Sequence, residues 1–195
     1  MTSSSENGQK NSADNFSLKQ NYFELFSLDA SFDIDLKILS ENFRTLQQAV
    51  HPDRFANASD QEKRMSVQRA AFINEAHQVL KSPQRRARYI IELQGVEFDD
   101  QANPIMSPMF LMQQMELREG LTEVKSQADP EAALDKILNE LKLSRSEVLT
   151  GLAEQLNTPA EADLEKASQL MHELQFLDKL QSESEILEEE LMDSL

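Results

Sequence analysis

Leu36, Leu39, Phe43, Leu46 and Val50 recur at alternating steps of three and four, so on an α-helix they fall in one stripe. Met65, Phe72, Ile73, Ala76, Val79 and Leu80 repeat the pattern further on. Two such stripes joined by a short connection bury one another, and the pattern predicts an antiparallel helical hairpin. Its tip is Ala49-Val-His-Pro-Asp-Arg54. Pro52 ends the first helix, because a proline disfavours α conformation in the residue before it and has no N–H to donate.

The remaining punctuation predicts helices throughout. Tyr22 to Phe26 begins a short first helix, and Ser59 with Glu62 forms a capping-box pattern opening the third. Ser82-Pro83, Ser107-Pro108, Asp129-Pro130 and Thr158-Pro159 each pair an N-cap residue with proline at the first helical position. Gly95 closes the helix after Pro83, and Asn103-Pro104 reads as a turn. The expected class is all-α. Residues 1–15 form a polar, disordered tail, 16–95 an N-terminal helical domain, 96–108 a linker and 109–195 a C-terminal three-helix bundle. Ile90, Ile91, Leu93, Val96 and Phe98 are dense enough to seal an interdomain contact. Arg85, Arg86 and Arg88 are read as solvated or paired with acids rather than as a partner contact, and 182–195 leaves room for a last helical segment.

The segment after Pro108 carries two apolar stripes. Phe110, Leu117, Leu121 and Val124 line one side, the natural core face. Leu111, Met112 and Met115 fall roughly opposite, beside Glu116 and Glu119. In the last helix Leu170, Leu174 and Leu177 set the core direction, which turns Phe176 outward. Half of the eight methionines lie between Met106 and Met115. An apolar centre with an acidic border has the composition of a binding patch, and equally of a surface covered by the first domain or the C-terminal tail.

Composition narrows the classes. With 39% hydrophobic and 28% charged residues and no apolar run near the roughly 20 residues of a membrane span, the chain reads as soluble. Zero cysteines exclude disulfides, thiolate metal sites and cysteine nucleophiles, and fit a reducing compartment. The N-terminus has neither the arginines nor the apolar core of a targeting signal, so the cytoplasm is expected. No glycine stands in a phosphate-cradling motif, and no cofactor or metal is expected. Residues 1–95 hold 12 Lys+Arg against 12 Asp+Glu, and the remainder 7 against 23. The net charge of -16 therefore sits in the second half, which opposes binding to nucleic acid or anionic membranes.

Catalysis has little support. His51 and Asp53 could form an acid–base pair, but Pro52 separates them in a loop with no nucleophile or pocket indicated. Neither His77 nor His172 has a Glu three residues before it, as a carboxylate-bridged di-metal site requires.

The run from Tyr22-Phe-Glu-Leu-Phe26 through His51-Pro-Asp53 to Ile73-Asn-Glu-Ala76 and Arg85-Arg-Ala-Arg-Tyr89 resembles a J-domain. Beyond it, Phe110-Leu-Met-Gln-Gln-Met-Glu-Leu-Arg-Glu119 and Phe176-Leu-Asp-Lys-Leu180 look like the HscB branch, co-chaperones of iron-sulfur cluster biogenesis. The resemblance implies that His51, Pro52, Asp53 and Arg54, with Lys37 and Arg44 on the preceding helix, face an HscA/DnaK-type ATPase chaperone. It implies that Leu111, Met112, Met115, Glu116, Glu119 and Phe176 contact an IscU-type scaffold protein. Gln47 and Gln48 stand where that family usually offers lysine or arginine, and Val50 where an aromatic often precedes the histidine. A J-domain protein with another client is the second reading, and a helical enzyme using His51 and Asp53 the third.

Overall fold

The computed structural model describes residues 20–55, 58–98 and 106–193, and among these only helices and their connections occur. The expected tail at 1–15 and most of the expected linker, with its Pro104 turn, lie outside the described residues. The chain divides into two compact units. One comprises the described residues up to Ala30 together with Ile34–Ser82, the other Ser31–Asp33 and those from Pro83 onward.

The first unit is the expected hairpin. Helix α1 (Tyr22–Leu25) is short enough to depend on its cap: Asn21 Oδ1 accepts from the Glu24 N–H at 2.9 Å, and Glu24 returns a carboxylate to the Asn21 N–H. Its Phe23 and Leu25, with Phe26, are buried under α2 (Leu36–Val50) and α3 (Asp60–Lys81). Ser59 and Glu62 form the capping box read from the sequence, and the Ser59 hydrogen bonds hold the Glu62 carboxyl below its usual range. Leu39, Val50, Ile73, Ala76 and Leu80 fill the seam. Two stripe positions differ from expectation: Leu36 and Met65 are exposed. Leu36 is the first residue of α2, and the buried place beside Met65 is taken by Ser66, whose hydroxyl donates to the Val50 carbonyl at 2.8 Å. Phe43 and His77 stack with ring centroids 3.9 Å apart, and Phe26 meets His77 edge-on. Burial, with Lys81 nearby, pulls the His77 pKa below its ordinary value.

The second unit gathers four helices: α4 (Pro83–Leu93), α5 (Pro108–Glu123), α6 (Pro130–Leu156) and α7 (Leu164–Met192). At 1.5 Å per residue α6 and α7 are each about 40 Å long and pack along one another. Their seam holds Leu134, Ile137, Leu141, Val148, Leu152 and Leu156 of α6 and Ala167, Met171, Leu174, Leu177 and Leu180 of α7. Gly151 permits close approach, since a Cβ there would stand 3.0 Å from Leu170 Cδ1. Ser107 and Asp129 cap α5 and α6 ahead of their prolines, as predicted. Thr158-Pro159 instead opens a three-residue 3-10 turn, and Asp163 caps α7. The 182–195 segment continues α7 as far as Met192, with Glu188, Glu189 and Glu190 near its end and Lys125 Nζ 2.7 Å from Glu190 Oε2.

Helix α4 packs on α7 and α6, so the contact division falls between Ser82 and Pro83, whereas the sequence reading drew its boundary after residue 95. Ile90 and Ile91 are buried in the second unit's own core, while Leu93 is exposed. Gly95, at φ +89°, ends α4: its N–H reaches the Glu92 carbonyl and that of Val96 the Ile91 carbonyl, the Schellman pattern. Of the two readings of Arg86, solvated or paired with acids, burial excludes the first. It is buried, its guanidinium lies 5.0 Å from the centre of the Phe32 ring, and desolvation lowers its pKa against the opposing pull of Asp33. Arg88 pairs with Glu92 at 2.8 Å and lies over Phe98.

Candidate functional site

Two surfaces present the residues singled out by the sequence, one in each unit. The first is the hairpin tip. Helix α2 ends at His51, whose ψ of 131° leaves the α region ahead of the proline, and Pro52–Phe55 form one 3-10 turn. The Arg54 N–H closes that turn on the His51 carbonyl at 3.0 Å. The Asp53 N–H donates to His51 Nδ1 at 3.3 Å, and the Asp53 carboxylate lies 3.4 Å from the same nitrogen. The imidazole thus braces the turn at the surface while Asp53 points further out: their side chains are 58% and 90% exposed. Arg54 reaches back to the Gln48 carbonyl at 3.4 Å. Behind the turn, the bond from Ser66 to the Val50 carbonyl anchors the last residue of α2.

Lys37, Arg44 and Gln48 are all exposed on one side of α2. Gln47 is absorbed otherwise: its side-chain amide donates to Asn74 Oδ1, joining α2 to α3. A tip of this kind can offer a partner one carboxylate and a row of cations in fixed geometry. A general acid–base pair would need enclosure that this exposure does not supply.

The second surface is the outward side of α5. Leu111, Met112 and Met115 are 44%, 64% and 72% exposed, and Glu116 and Glu119 are exposed beside them. Phe110 and Leu117 are buried on the other side, as is Val124 just past the helix end, so one helix serves core and surface together. Phe176 is only half-buried rather than turned fully outward. Its ring meets Phe110 edge-on with centroids 6.0 Å apart, and the Arg118 guanidinium stands 5.6 Å from its centre. Phe110 on α5 covers one side of the ring, a neighbour that the periodicity of α7 does not register. Two residues were missed. Met109, 81% exposed, extends the apolar face by one turn, and its spacing of three from Met112 could have revealed it. Arg118 could not be placed over Phe176 from sequence.

Among the described residues no group of three or more histidines, cysteines or carboxylates could hold a metal ion, and no helix is long and apolar enough to cross a membrane.

Comparison with known proteins adds relationship to this geometry. Residues 106–185 match the family model of the HSCB C-terminal oligomerisation domain. A co-chaperone protein HscB homolog of Shewanella loihica is 43% identical over 171 residues, which are 88% of this chain and 99% of the relative. The homolog of Shewanella halifaxensis is 44% identical over 173 residues, with 89% and 99% covered. Among solved structures, chaperone HscB from Vibrio cholerae superposes with a TM-score of 0.79 at 45% identity, covering 88% of this chain and 99% of that one. Human co-chaperone protein HscB gives a TM-score of 0.79 at 26% identity, covering 88% and 84%.

Proposed function

The chain belongs to the HscB family of co-chaperones, and on that premise we propose that it binds an iron-sulfur scaffold protein and brings it to an HscA/DnaK-type chaperone, whose ATPase it stimulates. Its relatives are named as co-chaperones, not as enzymes. The observation that carries the proposal is the presence of two accessible surfaces of unlike chemistry on separate compact units. A braced polar tip suits a transient, charge-guided contact, and an apolar face with carboxylates at its border suits retention of a client.

In this reading Asp53 accepts a charge-assisted bond from a chaperone arginine, His51 and Pro52 hold the shape of the loop, and Arg54, Lys37 and Arg44 supply positive charge along the approach. Leu111, Met112, Met115 and Phe176 bury against the scaffold, with Glu116 and Glu119 at the rim. Burying one such side chain is worth roughly 1.5–3 kcal/mol, enough for a few together to sustain a reversible complex of about micromolar affinity. The client and the hairpin act jointly on ATP hydrolysis, which locks the chaperone on its client and favours release of the cluster to acceptor proteins. The absence of cysteine suits work in the reducing cytoplasm.

The test is steady-state ATP hydrolysis by the chaperone with the chain, the scaffold, or both. Joint stimulation is expected, and His51→Gln abolishes it while calorimetric affinity for the scaffold stays nearly unchanged. Stimulation retained by that variant would overturn the role given to the tip. The flexible methionines also suit a different client. A pulldown with the full chain separates the two readings, through recovery of a cluster-carrying scaffold or of diverse unfolded proteins.

A further inference from the structure

The chain contains no cysteine, so its eight methionine thioethers are its only sulfur atoms. Three of them stand together in the open: Met109, Met112 and Met115 are 81%, 64% and 72% exposed on consecutive turns of α5. Met65 and Met192 are exposed singly on other helices, and Met171 is 1% exposed in the α6–α7 seam. Positions three residues apart advance by about 300° around a helix, so the three sulfurs occupy an arc of roughly 120°.

We propose that Met109, Met112 and Met115 form an oxidation site for peroxides, at which conversion to methionine sulfoxide turns the outward face of α5 from apolar to polar. In each event the thioether sulfur attacks the terminal peroxide oxygen. The O–O bond breaks, an S–O bond forms, the sulfur loses two electrons and the peroxide leaves as water or an alcohol. No protein thiol in the chain competes for the oxidant. The buried side of α5 carries Phe110 and Leu117, with Val124 just past its end, and peroxide alters none of them, so the helix keeps its packing while its outer surface changes character. A thiol-dependent sulfoxide reductase reverses the change, the oxygen leaving as water as two thiols become a disulfide. That this alters client capture rests on the scaffold-binding reading of the same face; the modification itself does not.

The experiment exposes the full chain to limiting hydrogen peroxide and follows each methionine by peptide mass spectrometry, with circular dichroism to verify that helix content is kept. Sulfoxide is expected in the α5 peptide at least about tenfold faster than at Met171. Equal rates at the two places would overturn the proposal. Binding of an environment-sensitive apolar dye to the face should fall after oxidation. The triple variant Met109→Leu, Met112→Leu, Met115→Leu should show no peroxide-dependent change, whatever its starting level. A fall of the same size in that variant also overturns the proposal. Where the untreated chain binds an iron-sulfur scaffold protein, oxidation should weaken that affinity about tenfold or more, and an unchanged affinity refutes the effect on capture. Where the untreated chain does not bind the scaffold, the failure belongs to the scaffold reading, and the mass spectra and dye decide the oxidation site alone.

Discussion

Asn157 clasps Asp33 with both ends of its carboxamide: Oδ1 accepts the Asp33 N–H at 2.8 Å, and Nδ2 donates to the Asp33 carboxylate at 2.8 Å. The Ser31 hydroxyl adds a third bond to the same Oδ1 at 2.9 Å, and the Phe32 N–H reaches the Leu156 carbonyl at 3.3 Å. Between them Phe32 is buried, with Arg86 over its ring. Asn157→Ala should lower the stability of the full chain by about 1–2 kcal/mol in urea titration and release the Asp33 amide to faster hydrogen exchange. Asn157→Asp should cost more, since it removes the donor and sets two carboxylates face to face. Unaltered exchange at Asp33 in the alanine variant would contradict this account.

Ser66 is a polar residue in an apolar seam, and its hydroxyl satisfies the Val50 carbonyl immediately before the His51 turn. Ser66→Ala leaves that carbonyl buried without this donor. The expected loss is about 1 kcal/mol or somewhat more, with faster amide exchange at Asp53 and Arg54. A Ser66→Thr variant retains the hydroxyl and should recover part of the stability if the added methyl is accommodated.

On the α5 face, stability and binding can be separated residue by residue. Leu111→Ala and Met115→Ala remove exposed side chains, so thermal midpoints should stay within a degree or two while scaffold affinity drops about tenfold or more for the pair. Phe176→Ala should lower both, because its ring also packs on Phe110. Calorimetric affinity unchanged in all three would dismiss the patch.

His77 gives the first unit a pH dependence of definite sign. Its pKa is lowered first by burial and then by Lys81, so folding favours the neutral ring. Unfolded chains bind the proton more tightly, and the contribution is therefore complete above the ordinary histidine value of 6.5 and is lost as pH falls through the lower folded value. Titration of the ring protons by NMR in the full chain should give a midpoint under 6.5. A midpoint at or above it would contradict the burial between Phe26 and Phe43.

What could be read from sequence was what depends on near neighbours. Ser59 with Glu62, Ser107 before Pro108, Asp129 before Pro130 and Gly95 each fix a helix end within a few residues, and each appears where expected. Thr158-Pro159 carried the same signal and gave only a 3-10 turn, because Asp163 offers a competing cap that accepts from the Lys166 N–H. Partner choice was not legible. The Ile90–Ile91 pair announces burial without saying against what, and nothing around Asn157 points to a residue 124 positions away. The outward position of Leu111, Met112 and Met115 followed from periodicity, while the half-covered state of Phe176 required its neighbour on α5.

The acidic close of α7 has a further consequence. Aligned peptide dipoles place partial negative charge at a helix C-terminus, where cations are favourable, yet the last turn of α7 has no basic residue, and Glu188, Glu189 and Glu190 crowd at its start. Lys125 answers Glu190 at 2.7 Å. Mobile counterions screen the repulsion among those carboxylates and between them and the dipole. Ionic strength should therefore tighten the final turns of α7, whereas it loosens an isolated surface ion pair.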